Sequence, residues 1–261
     1  MLRQPRPNFP LMVTFKSMTL LTDTLKAALW QAYGNVNSPA EWDGNVYGGG
    51  KISQRFWEYH QTIELLDLSP DSVVLDIGGG SPITGAGFFT TLIAPFVKEV
   101  HVLDVNFGEG RTHLPNIIFH RDLGSYESLT LLLNRNPQIT HIACISVFEH
   151  IPDEIRRGMT KAINESFKGL IFVATLEYHA RNCYFEYQLT VKTLSELFTP
   201  LDRFYPDKIL QSPVLGEPAY GEASLGRKVM RRLFPHWRKS KTKFDSTPLW
   251  YPLALRFKGM P

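Results

Sequence analysis

The chain has 261 residues, with 28 Lys and Arg against 25 Asp and Glu and a net charge of +3. That length suits one large α/β domain or two small ones, and an apolar fraction of 43% is ordinary for a globular core. Two cysteines, Cys144 and Cys183, exclude a disulfide framework and a cysteine zinc site, and no apolar run is long enough for a helical membrane span.

Arg3 and Arg6 are followed by Pro5, Pro7 and Pro10, so residues 1–17 read as a loose tail without an apolar targeting core. Thr22 to Tyr33 is expected to be a short helix, capped by Thr22 or Asp23. Residues 34–50 are turn-rich and end in three glycines. Ile52, Phe56, Tyr59 and Ile63 recur at helical spacing, which predicts a helix over 52–66. Residues 1–66 are therefore expected to form an N-terminal tail and helical lid, with Gly48 to Gly50 as its hinge. Residues 67–261 are the expected main domain.

From Asp71 strand and helix patterns alternate, which argues for a parallel sheet covered on both faces. The apolar run Val73-Val74-Leu75 stops at Asp76 and then at Gly78, Gly79 and Gly80. Such a strand end marks a ligand crevice at the carboxyl edge of a sheet. Phe88 to Val97 is the first expected crossover helix, ended near Pro95. Glu99 to Asp104 is a second strand ending in an acid, the position from which a carboxylate commonly accepts hydrogen bonds from ribose hydroxyls. Residues 116–121 form a third strand, followed by Asp122, and 126–134 a helix. Residues 139–148 form a fourth strand that runs into Glu149-His150-Ile151-Pro152. Pro152 fits the first turn of a helix reaching Phe167, with Asp153 and Glu154 at its positive end. A fifth strand over 169–175, a helix over 190–198, a sixth strand over 207–215 and a final strand over 250–257 complete the series.

Between Leu225 and Phe244 stand eight basic residues and no acid, so the remainder of the chain is acidic. Residues 216–248 read as an insertion whose basic stretch, 227–243, offers an anionic contact surface. Leu233, Phe234 and Trp237 among these charges suit a peripheral contact with anionic lipid as well as nucleic acid. The expected compartment is the cytoplasm, with a peripheral membrane contact as the variant.

In order and spacing, VVLDIGGG, HVLDVN, HRDL and CISVFEHIPDE resemble the motifs of the class I S-adenosylmethionine-dependent methyltransferases. The resemblance covers roughly residues 50 to 200. It departs at Pro82, where the family's glycine loop often has its last glycine, with Gly85 and Gly87 following. It implies a Rossmann-like, doubly wound, mostly parallel seven-stranded sheet with helices on both faces and an antiparallel last strand. It also implies S-adenosyl-L-methionine as cofactor. Asp76 and Gly78 to Gly80 would line the methionine end and Asp104 would bind the ribose. Asp122 would accept from the adenine amino group while the Leu123 N–H meets the ring. Ser146 and Val147 would pass close to the cofactor.

The competing dinucleotide reading expects a further glycine where Ile83 stands and no acid beside the loop. A sulfonium and an ammonium suit Asp76, whereas a pyrophosphate does not. The catalytic candidates are His150, whose near-neutral pKa suits a general base, and Glu149. Glu177, Tyr178 and His179 stand at an edge where acceptors often bind. No metal is expected, since too few oxygen ligands can be placed. The expected reaction is methyl transfer to a small-molecule or glycan acceptor at oxygen. The alternatives are an RNA-directed methyltransferase and a non-catalytic cofactor-binding module.

Overall fold

The computed structural model describes residues 18–33, 54–80, 85–105, 114–166, 169–179, 189–198 and 250–258. Helices α1 (Met18–Tyr33) and α2 (Gln54–Leu66) precede β1 (Val73–Ile77). Then come α3 (Phe88–Ile93), β2 (Glu99–Asp104), β3 (Ile117–Arg121), α4 (Tyr126–Arg135) and β4 (His141–Ile145). The chain continues through α5 (Asp153–Glu165), β5 (Ile171–His179), α6 (Val191–Phe198) and β6 (Trp250–Lys258).

The sheet has the order β3-β2-β1-β4-β5-β6. All neighbours are parallel except β5 and β6, which run antiparallel from Ile171 opposite Lys258 to His179 opposite Trp250. This is the doubly wound arrangement with a reversed last strand. Six strands are seen where seven are expected; the one expected over 207–215 lies outside the described residues. From β1 the chain steps outward to β2 and β3, then returns to the other side of β1 as β4. The carboxyl ends of β1 and β4 therefore flank a topological switch point, where connections diverge and leave a crevice.

Both faces of the sheet are covered, so the mostly apolar β1 and β4 are buried at every residue. Leu75, Ile142 and Phe172 pack with Leu129 of α4, Met159 and Ile163 of α5, and Phe198 of α6. On the opposite face Val74, Val100 and Val173 pack with Leu25 of α1, Phe56 and Ile63 of α2, and Phe89 of α3. Each such buried side chain contributes about 1.5–3 kcal/mol of apolar transfer. Helices α1 and α2 thus share a core with the sheet.

Local rules account for several boundaries. Ser125 caps α4 by accepting the Ser128 N–H at 3.3 Å, with Glu127 in the first turn and Arg135 in the last. The first crossover is shorter than expected: α3 stops at Ile93, and Ala94–Phe96 form a tighter 3-10 turn. Pro95 has no N–H to continue an α-helix. Pro152 stands just before α5, in extended backbone, rather than within its first turn.

Candidate functional site

The first wall of the crevice is the turn after β1. Gly78 has φ +73°, a region side chains rarely enter, and its N–H donates to the Leu103 carbonyl at 2.7 Å. This bond ties the turn to β2. A Cβ on Gly78 would collide with Val147. Asp76 points to the α3 side of the sheet, beneath Gly79, and is 2% exposed. The Thr90 hydroxyl of α3 donates to its Oδ2 at 2.5 Å. Burial pushes the Asp76 carboxyl up to about 7; the Thr90 bond opposes this and the Asp104 charge adds to it.

Two cavities open on either side of this turn, and Gly78 and Ser146 border both. One, of about 290 Å³, is lined by Asp76, Gly79, Gly80, Arg55, Tyr59 and Phe88. The other, of about 270 Å³, is lined by Asp104, Asp122, Leu123, Val147, His150 and Met159. Between them the Gly80 N–H donates to Asp104 Oδ2 at 3.2 Å. Asp122 is drawn to β2 by its own N–H, which donates to the Asp104 carbonyl at 3.2 Å. Its Oδ1 accepts the Gly124 N–H at 3.0 Å, so it also shapes the turn that follows β3. The nine cofactor-site residues expected from sequence thus line one two-lobed crevice.

The second wall is the turn after β4. Ser146 has φ 51°, uncommon for a residue with a side chain. Three bonds fix it. Its N–H donates to the Thr175 carbonyl at 2.9 Å, continuing the pairing with β5. Its hydroxyl donates to Glu58 Oε1 of α2, and Glu58 in turn lies 3.1 Å from the Arg55 guanidinium.

Glu149 and His150 are adjacent but face differently. They sit in a 3-10 turn, Phe148–His150, whose three residues per turn separate neighbouring side chains by about 120°. His150 is exposed and lines the Asp104 lobe. Glu149 is 5% exposed, and neither carboxylate oxygen has a hydrogen-bond partner at normal distance. Burial pushes its carboxyl up to about 8; the charges of Glu177 and Glu58 add to this. A backbone bond and the Ser146 hydroxyl, already given to Glu58, offset it in part.

Arg55 and Glu58 escape the sequence reading, and Tyr59 enters it only as part of an apolar face. Arg55 and Glu58 lie on a helix identified by its apolar stripe, which treats the other positions as solvent-facing. The signal was available: the run Phe56-Trp57-Glu58-Tyr59 puts an acid among large apolar residues. Tyr178 departs from expectation, being buried in the core on the α4–α6 face. The glycine hinge 48–50, Pro82 and the basic stretch 227–243 lie outside the described residues, as does the His179 side chain. Among the described residues no helix is long and apolar enough to cross a membrane, and no group of three or more His, Cys, Asp or Glu is arranged to hold a metal ion.

No protein-family model matches the sequence, and no curated protein sequence matches it. Solved structures do. The Bordetella bronchiseptica enzyme WbmG, in complex with NAD, is 13% identical over 38% of this chain and 36% of that one, with a TM-score of 0.28. An S-adenosylmethionine-dependent methyltransferase from Anabaena variabilis is 18% identical over 91% of this chain and 95% of that one, at 0.39. Geranyl diphosphate C-methyltransferase from Streptomyces coelicolor is 9% identical over 97% of this chain and 100% of that one, at 0.43. The chain spans about a third of the first and nearly the whole of the other two. Likeness at this level fixes neither a cofactor nor a substrate.

Proposed function

We propose that this chain is an S-adenosylmethionine-dependent methyltransferase acting on a small-molecule acceptor, with transfer to a hydroxyl oxygen. The observation that carries the reading is the two-lobed crevice at the switch point, with Asp76 in one lobe and Asp104 and Asp122 in the other. Asp104 and Asp122 suit a nucleoside, whose ribose hydroxyls and exocyclic amine are donors. Asp76 under the glycine turn suits a cationic amino-acid tail. A pyrophosphate in the same lobe would meet that carboxylate at close range, which disfavours a dinucleotide.

When bound, this cofactor supplies an activated methyl carbon and its own leaving group. The residues of the chain then have to hold the acceptor in line, exclude water and take up one proton. Glu149 is the base this reading selects. A carboxyl with a pKa of about 8 is matched to proton transfer near neutrality, and burial, helped by Glu177 and Glu58, keeps it there. Its oxygens are screened from solvent, so the acceptor has to displace part of the surrounding packing to meet it. His150, beside Asp104 and Asp122, is assigned to the nucleoside instead.

The test has two arms. Calorimetry should give one saturable site for S-adenosylmethionine. Incubation with methyl-labelled cofactor should then transfer label to a small-molecule or saccharide fraction of cell extract. Label appearing in RNA alone would favour the nucleic-acid alternative, and binding without transfer to any fraction would favour a non-catalytic module.

A further inference from the structure

Away from the crevice, a polar cluster is built into the sheet itself. His101 of β2 is 1% exposed. Its Nε2 lies 2.7 Å from Glu99 Oε1, and its Nδ1 lies 2.8 Å from Nε2 of His120 on β3. The two imidazole planes are 5° apart in orientation, with centroids separated by 5.1 Å. A nitrogen–nitrogen contact that short is a hydrogen bond, with one proton between the rings.

These contacts fix the protons. A carboxylate only accepts, so His101 Nε2 carries a proton; in the neutral ring Nδ1 is then bare and His120 Nε2 donates to it. A first added proton still leaves a single proton between the rings, whichever ring holds the charge. A second sets N–H against N–H and breaks the bond. Burial, and then the charge of His101, hold half-buried His120 below the usual histidine range.

The described neighbours supply no substitute charge. Beside His101, β1 presents Leu75 and β3 presents Ile118. Helix α4 packs Leu129, Leu132 and Leu133 on this face, while its charges, Glu127 and Arg135, are exposed. Past α4, uncharged Gln138 reaches Glu99 Oε1 at 3.5 Å.

Position gives the cluster a consequence. β3 is at the edge of the sheet, with β2 as its neighbour. His120 stands opposite Leu103, whose carbonyl accepts the Gly78 N–H of the glycine turn. Two residues further on, the Asp122 N–H donates to the Asp104 carbonyl.

We propose that Glu99, His101 and His120 form a pH-sensitive lock that keeps β3 in register on β2 and so positions Asp122 in the nucleoside lobe. They are positioning residues, since none of them lines either lobe. The link to the cofactor rests on the S-adenosylmethionine reading above; the lock itself does not.

Hydrogen exchange of the ligand-free full chain tests the lock. Conditions of about pH 7.5 and about pH 5 bracket the usual histidine value. After correction for intrinsic rates, β3 amides should lose roughly tenfold in protection at the lower pH, the effect of binding one further proton, while β4 amides keep theirs. His120→Gln retains an N–H for His101 Nδ1 and takes no charge, so its β3 should stay protected under both conditions. If that variant fails to fold, nitrogen NMR of the wild type gives a second reading: His101 should carry a proton on Nε2 near neutrality. A bare Nε2, or equal wild-type protection of β3 under both conditions, would overturn the lock. Calorimetry then tests the link. On acidification S-adenosylmethionine should weaken several-fold more in the wild type than in His120→Gln, because the Asp76 contribution is common to both. Equal weakening would overturn the link to Asp122. No binding by either protein would overturn the cofactor reading, and the exchange result would still decide the lock.

Discussion

The two lobes of the crevice put the same part in different surroundings. Each has an acid at the carboxyl end of a parallel strand, and the strands are neighbours. Asp104, at the end of β2, is half-buried beside its cavity and accepts the Gly80 N–H. Asp76, ending the more central β1, lies under the glycine turn and against α3, and burial raises it to about 7. The difference teaches that sheet position, more than residue type, sets what a strand-end acid does. A partly solvated carboxylate is a ready acceptor for neutral donors. A buried one near its pKa is a partner for a cation, because a positive ligand supplies the charge that favours ionisation.

Four experiments test that contrast. The largest effect is expected just beyond it, at Glu149. Glu149→Gln should lower the rate by on the order of 10²–10⁴-fold with little change in cofactor affinity. In the wild type the rate should climb toward pH 8 as the base ionises, and that climb should vanish in the variant. A retained pH profile would remove Glu149 as the base.

Asp104→Ala should weaken S-adenosylmethionine binding by on the order of 100-fold, since a carboxylate meeting two hydroxyls makes two charge-assisted bonds. Thermal melting of the ligand-free protein should scarcely move, because the residue stands at a cavity edge. Unchanged affinity would break the assignment of this lobe to the nucleoside.

Asp76 should give a pH signature of its own. Cofactor affinity should rise as pH increases from 6 to 7, by up to about tenfold per unit, then flatten as the carboxyl is fully ionised. Ligand-free stability should run the other way. The folded Asp76 holds a proton that the unfolded chain sheds above its ordinary value of 3.8. The native state therefore loses stability as pH rises from about 4 to about 7. Asp76→Asn should remove both slopes, raising the melting temperature at pH 8 while weakening the cofactor. Matching pH profiles for wild type and variant would erase the distinction between the lobes.

The smallest effect belongs to His150. Placed at the exposed rim of the Asp104 lobe, His150→Ala should weaken the cofactor by a few-fold, roughly one neutral contact, and leave the pH profile of the rate intact. Loss of a pH limb in this variant would return the base to His150.

The strand–helix order and the residues that line the crevice were legible because local patterns carry them: apolar runs ending in acids, and glycines where a turn needs positive φ. Asp76, Asp104 and Asp122 were found this way. Their different environments were not, because burial depends on which helix packs over which strand end. Thr90, which holds Asp76, belongs to a helix with no motif of its own. Arg55 and Glu58 were missed for the same reason, since the Ser146–Glu58 bond joins residues 88 positions apart. Glu149 and His150 were both taken as candidates from their place after the fourth strand. Adjacent in sequence, they are turned apart by a 3-10 backbone that sequence pattern does not distinguish from a strand end.

The measurement that bears most directly on the account is a calorimetric titration of the full chain with S-adenosylmethionine, repeated in the presence of S-adenosylhomocysteine and of NAD. The account predicts a single site, displaced by S-adenosylhomocysteine and untouched by NAD. Saturable binding of NAD with no binding of S-adenosylmethionine would contradict it.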